Sequence, residues 1–266
     1  MLEIQNTSFL DKPEIKKRAS SVFTSVKGEQ TSEKYTHIPT DRVIEDMEKL
    51  GWGVVDAKEV RARKGVGFQK HLVVFRNPNI SITGDDGDDV FPQILLTNSH
   101  DGKNAFTFTA GLFRMVCENG LVIATQEFEN LKIRHMGYTF EELQSTIAAM
   151  VEKLPLTVDS MNKLKQTKLN EAQKEEFAKR ALETRFGKEE IQNITIDLRS
   201  LLEPTRKEDS GDDIWSVFNV VQEKLIHGMF EYQVGAKMRK ARKIKNFKQD
   251  LKVNEELFGL ALEYAC

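Results

Sequence analysis

The spacing of apolar residues changes along the chain, from strand-like in the N-terminal half to helix-like in the C-terminal half. Residues 1–38 are polar and poorly periodic, rich in Ser, Thr, Lys and Glu, and predict an arm carrying one short helix. At Pro39-Thr40-Asp41 the pattern turns helical. Thr40 is placed to act as an N-cap, Asp41 suits a helix N-terminus, and Val43, Met47 and Leu50 recur at helical spacing until Gly51. Beyond it, Gly53–Arg61 and Phe68–Arg76 read as strands flanking a turn at Arg63-Lys64-Gly65-Val66-Gly67, whose glycines suit a hairpin. The acidic turn Gly84–Asp89 leads to a strand at Val90–Leu96. Ala105–Cys117 is rich in β-formers, with Gly111 suggesting a bend or bulge. Leu121–Thr125 and Phe128–Arg134 bring the run to about six strands.

The texture then changes. Phe140, Leu143, Ile147, Val151 and Leu154 mark one helical face that Pro155 should end. A second helix is predicted over Asn170–Phe186, with Ala172, Phe177, Ala181 and Leu182 inward and Gly187 at its C-terminal side. Trp215–Met229 and about Gly235–Tyr264 have helical spacing as well. Strands first and helices later predict an α+β fold, a largely antiparallel sheet followed by a helical C-terminal half. The divisions are an arm (1–38), a β-rich domain with a leading helix (39–137) and a helical region (138–266).

With 266 residues, 39% of them hydrophobic and 30% charged, the chain has a globular composition, not a disordered one. Two cysteines, Cys117 and Cys266, far apart in sequence, argue against a disulfide scaffold and for a reducing compartment. The N-terminus lacks the apolar core of a signal peptide, and no apolar run approaches the ~18 residues of a membrane span, so a cytoplasmic protein without membrane contact is expected.

Net charge is only −2, but its distribution is uneven. Lys237, Arg239, Lys240, Arg242, Lys243, Lys245 and Lys248 form a run of seven cations without an acid, leaving −9 on the rest (−2 less 7). Met238, Ala241, Ile244, Phe247 and Leu251 recur every three or four residues through this run, which predicts a basic amphipathic helix docked by its apolar stripe. A cationic ridge of that kind neutralises phosphates and releases counterions, giving salt-dependent and largely sequence-independent affinity. Arg61, Arg63 and Lys64 at the hairpin tip would be a second contact. Phe68, Phe230 and Tyr232 are the candidates for stacking on unpaired bases.

A second chemistry comes from Thr97-Asn98-Ser99-His100-Asp101-Gly102, which closes a strand and opens a turn. His100 and Asp101, with His71 and His135 from other strands, have the ligand types of a zinc or manganese site, and such a metal would activate water. The spacing matches no metal motif, however, and the favoured reading is structural, with Asn98 and Asp101 satisfying turn backbone and His71 and His135 as hydrogen-bonded groups. Cys117 before Asn119-Gly120 would need a neighbouring base to act as a nucleophile.

Tyr35-Thr36-His37-Ile38-Pro39-Thr40, Gly67-Phe68-Gln69-Lys70-His71, Asn98-Ser99-His100-Asp101-Gly102, Phe113-Arg114 through Asn119-Gly120, Arg134-His135-Met136-Gly137, Trp215–Asn219 and Val253–Phe258 together resemble a phage- and plasmid-like family catalogued as a domain of unknown function. The resemblance covers nearly the whole chain after the arm and supplies no catalytic or ligand residue. It implies genes on mobile elements in a bacterial host, with replication, recombination or counter-defence as contexts.

The leading expectation is a non-sequence-specific nucleic-acid-binding protein, for instance for single-stranded DNA binding or annealing, working as a homo-oligomer and needing no cofactor. Two alternatives stand beside it: a hydrolase or nuclease using a divalent metal on His71, His100, Asp101 and His135, and a factor that binds a host protein. A binder is expected over an enzyme.

Overall fold

The computed structural model of the chain describes residues 8–33, 35–62, 65–83, 89–114, 119–122 and 138–265. Arg63, Lys64, Cys117, the expected strand Phe128–Arg134 and His135 lie outside these. The fold is α+β, with an antiparallel sheet in the N-terminal half and helices mostly in the C-terminal half. No described helix is long and apolar enough to cross a membrane. Two compact units are formed, Met1–Met115 with Thr125–Leu154, and Val116–Ala124 with Pro155–Cys266.

In the first unit, helix α1 (Lys12–Arg18) starts where Asp11 accepts a hydrogen bond from the Glu14 N–H, and a 3-10 turn follows at Ser20–Phe23. Ile15, Ala19 and Val22 are buried, and the Leu10 N–H donates to the Val54 carbonyl at 2.8 Å, so this stretch packs on the sheet. Helix α2 (Thr40–Lys49) buries Val43, Ile44 and Met47. Strands β1 (Gly53–Glu59), β2 (His71–Arg76), β3 (Ile82–Thr83), β4 (Asp89–Asn98) and β5 (Thr107–Arg114) follow. They pair antiparallel in the order β1-β2-β4-β5, with β3 alongside β4. Strand β2 is buried at all six positions because it has a strand on each side and cover on both faces. Pairing of β4 with β5 runs without a break through Gln93 opposite Gly111, so the expected bulge at Gly111 is absent. A register shift sits instead in β1, between Val54 and Asp56.

Strand β6 (Asn119–Val122) belongs to the second unit. Helix α3 (Phe140–Gln166) begins in the first unit, where Leu143, Ile147 and Met150 are buried. It does not stop at Pro155. An interior proline loses a hydrogen bond and costs about 3 kcal/mol. Apolar spacing resumes at Met161 and Leu164, both buried, and this packing sustains the helix. The proline instead coincides with the point at which the chain passes from one unit to the other.

In the second unit, helix α4 (Glu171–Phe186) opens with a reciprocal cap between Asn170 and Gln173 and closes at Gly187, φ +86°. Its inward residues are Phe177, Ala178, Ala181 and Leu182, while Ala172 is exposed. Strand β7 (Ile194–Thr195) and helix α5 (Leu198–Leu202) lead to helix α6 (Ile214–His227), capped by Asp213 and buried from Ile214 to Ile226. Only a helix enclosed on all sides is buried so completely, so α6 is the centre of this unit.

The C-terminal segment is not one helix. Strands β8 (Glu231–Val234) and β9 (Lys237–Lys240) form a hairpin, with β9 at the edge of a β7-β8-β9 sheet. Residues 241–246 are irregular, and only Phe247–Tyr264 is helical (α7). The three-residue apolar spacing expected to build a helix serves an extended chain instead. Ala241, Ile244 and Phe247 are buried, but Met238 is 63% exposed. The Ala241 N–H donates to Phe230 O at 3.0 Å and the Ile244 N–H to Ile226 O at 2.8 Å, holding the stretch against the end of α6.

Candidate functional site

One end of the first unit's sheet gathers the polar residues singled out above. The strand register sets Glu59 of β1 opposite His71 of β2, and His71 opposite Asn98 of β4, on one face. The start of α2 closes over this row. The Asn98 amide donates to Ile38 O at 3.3 Å and to Thr40 Oγ1 at 3.0 Å. His71 Nδ1 lies 3.2 Å from the Gln69 carbonyl, which can only accept, so Nδ1 carries the proton. Nε2 then accepts from the Thr40 hydroxyl at 2.8 Å. Ser21 Oγ is 3.0 Å from Nδ1, and Glu59 accepts from the Ser21 N–H at 2.9 Å. Burial pushes His71 down to about 4, so it is neutral near pH 7. Thr40 is therefore not an N-cap: Pro39 occupies that position, and the Thr40 hydroxyl serves His71.

His100 is buried with its ring 5.2 Å from His71 and 4.6 Å from His37. Its backbone clamps two loops, donating to Phe68 O at 3.1 Å and accepting from the Gly28 N–H at 2.7 Å. Gly28 fits closely there, since a Cβ would lie 3.0 Å from the His100 carbonyl oxygen. Asp101 Oδ1 accepts from Ser99 Oγ at 2.7 Å and from the Lys103 N–H at 3.1 Å, the work of an Asx turn. The Tyr35 hydroxyl donates to Ser99 O at 3.0 Å, and burial, with the Asp101 charge, pushes it up to about 12. The structure thus brings His71, His100 and Asp101 to one sheet end but commits both His71 ring nitrogens to protein partners. Among the described residues no three His, Cys, Asp or Glu side chains are placed to hold a metal ion.

The other cluster is the β8–β9 hairpin of the second unit. A two-residue loop carries Gly235 at φ +58° between the paired Val234 and Lys237. All four residues of β9, Lys237–Lys240, are exposed, as are Arg242 and Lys243. Alternation along the strands puts Lys237 and Arg239 on the face of Val234 and Tyr232, and Met238 and Lys240 on the face of Gln233 and Glu231. Glu231 is the acid nearest in register, opposite Lys240. Among the described residues, no ion pair within 4.0 Å involves Lys237, Arg239, Lys240, Arg242 or Lys243. Like charges held this close repel one another, so the arrangement favours an anion more than it favours the fold.

Beside the hairpin is an open cleft of about 820 Å³ lined by Arg185, Tyr232, Arg239, Lys240, Ala241 and Arg242. Its wall is built by Arg185 of α4, whose guanidinium donates to the carbonyl of Leu225 and, at 2.6 Å, to that of Arg242. The same group lies 5.2 Å from the Phe230 ring and 5.6 Å from the Phe186 ring, and burial lowers its pKa. Arg185 thereby pins the basic segment just after β9 to the last turn of α6. Tyr232 is half-buried, leaning on Phe186 at 5.2 Å, while Phe230 is fully buried. Gly228, φ +70°, lets the basic segment pass. A Cβ there would meet the Arg242 carbonyl carbon at 2.5 Å.

Of the second basic cluster, Arg61 is exposed next to a turn with Gly65 at φ +66° and Gly67 at φ +96°. Arg185 has no local signal in the sequence, since it sits in a helix 57 residues before the segment it fastens.

Residues 29–258 match the family described as a domain of unknown function, DUF932. Two relatives from Escherichia coli (strain K12) are similar over nearly their whole length. UPF0380 protein YafZ is 29% identical over 255 residues, covering 95% of this chain and 90% of the relative. UPF0380 protein YfjQ is 30% identical over 258 residues, with the same coverage. No solved structure matches the chain.

Proposed function

The chain belongs to the DUF932 family, and we propose that it binds nucleic acid without sequence specificity through the β8–β9 hairpin. The observation that carries this is the exposed run Lys237, Arg239, Lys240, Arg242 and Lys243, with no carboxylate partner among the described residues, beside a cleft walled by Arg185. A two-stranded ribbon is narrow enough to follow a groove or backbone, and cations on both of its faces can meet successive phosphates. Phosphate contacts of this kind carry affinity and no sequence information. In the other unit, the exposed Arg61 adds a further cation. Single-strand protection or annealing, in the mobile-DNA setting that the family resemblance implies, is the role this chemistry suits best.

An electrophoretic mobility shift with single- and double-stranded oligonucleotides of unrelated sequences tests it. The wild type is expected to shift all of them at low salt. A variant carrying Arg239→Gln, Lys240→Gln and Arg242→Gln should need far more protein for the same shift while melting at the wild-type temperature, because these side chains are exposed. A wild type that shifts nothing, or a variant that binds as well as wild type, would refute the proposal and favour a protein partner.

A further inference from the structure

We infer that the cleft at the hairpin takes an unpaired nucleotide, with the Tyr232 ring as its stacking platform and Arg239 and Arg242 on the flanking phosphates. This rests on the nucleic-acid function proposed above and names the form of nucleic acid preferred. Three features of the cleft support it. Its volume of about 820 Å³ lies in the range of sites that enclose a small ligand, about 300–1,000 Å³, and a recess of that size admits a single base. A base paired and stacked within a duplex has no free face to offer it. Tyr232 is the one aromatic ring in the lining, and every other polar lining residue is a cation. Rings beside a cationic track are how single strands are held, because each base has a π-face and the preference for sequence is slight.

Tyr232 is also built as a platform. Its position in β8 puts it on the same face as Arg239, directly across the ladder. Behind it stand Phe186 at 5.2 Å and Phe230 at 6.2 Å, which hold the ring in place. The Arg185 guanidinium sits within 5.6 Å of both supporting rings and ties them to the irregular stretch that carries Arg242. A ring fixed before binding loses little freedom when a base stacks on it. Of the three aromatic candidates considered for stacking, Phe230 is buried and Phe68 belongs to the other unit, which leaves Tyr232 beside the cations.

Fluorescence anisotropy decides the matter with three labelled probes of equal length: oligothymidine, an abasic strand with the same phosphates, and a duplex. Wild type is compared with Tyr232→Ala and Tyr232→Leu, the latter keeping apolar contact with Phe186. Wild type should bind oligothymidine more tightly than the abasic strand. Both variants should lose about 5- to 150-fold on oligothymidine, the effect of removing one stacked base, and nothing on the abasic strand. Unchanged oligothymidine binding in both variants would overturn the inference. So would a parallel loss on both single strands, because that would mean the hairpin had been deformed. A wild type that binds oligothymidine and the abasic strand equally refutes the stacking alone, and one that binds none of the three refutes the proposed function with it.

Discussion

Acidification should destabilise the first unit through His71, by an amount its environment sets. The imidazole is buried with Nε2 accepting from Thr40 and Nδ1 facing the Gln69 carbonyl, and protonation would place a second N–H where an acceptor is needed. Burial, opposed by the Gln69 carbonyl and the Glu59 charge, takes its pKa from 6.5 to about 4. Because the folded value is depressed, the contribution is complete above pH 6.5 and is lost as pH falls towards 4, where the unfolded chain binds the extra proton. At 1.36 kcal/mol per pH unit, that difference corresponds to about 3 kcal/mol. Urea denaturation at several pH values from 7 to 4 measures it, compared with His71→Gln, which does not titrate. The variant starts less stable, but its stability should fall less steeply with acid, the two curves converging by about 3 kcal/mol. Parallel curves would show that His71 is not held neutral and would refute the hydrogen-bond assignment at Thr40.

Two further substitutions test the second unit. Gly228→Ala imposes a left-handed residue and a Cβ 2.5 Å from the Arg242 carbonyl carbon, so a loss of at least about 1 kcal/mol is expected in denaturant titrations, together with weaker nucleic-acid binding; wild-type stability would contradict the path of the basic strand. Arg206 holds the buried Glu223 by two hydrogen bonds, at 2.6 and 2.5 Å, with Thr205 adding a third at 2.9 Å. Burial alone would raise the Glu223 pKa, but these bonds outweigh it and the value is lowered. Arg206→Met should therefore cost about 3 kcal/mol at neutral pH. The depressed value means the pair stabilises above the ordinary carboxylate range and fails as pH falls below it, so the cost should shrink in acid. A cost independent of pH would argue against the pair.

Local signals were legible wherever both partners of an interaction lie close in sequence. Asn170, Gln173 and Gly187 announce both ends of α4, and the glycines of 65–67 announce the hairpin between β1 and β2. The α+β division followed from the same patterns. What failed was decided at a distance. A spacing of three apolar residues fits a helix and a clamped extended chain alike. The second outcome at Ala241 and Ile244 depends on carbonyls of Phe230 and Ile226 and on the space left by Gly228. Pro155 reads as a stop because its sequence neighbours do not reveal that Met161 and Leu164 are buried. In the candidate sites, His71 looks like a ligand until Thr40, 31 residues away, and Ser21, 50 residues away, are seen at its ring. The cations of the hairpin were legible as a charge run, but the cleft beside them needs Arg185 and the aromatic support of Phe186, which no local pattern links to residues 237–243.

The slope of binding against salt tests the central claim most directly, since it counts the phosphates the hairpin neutralises. For a single strand the slope of log K against log salt is about −0.7 per phosphate, so five cations at Lys237, Arg239, Lys240, Arg242 and Lys243 predict about −3.5. With Arg239, Lys240 and Arg242 replaced by Gln, two cations remain and the slope should flatten to about −1.4. An unchanged slope in that variant, or no binding by the wild type at low salt, would contradict the account.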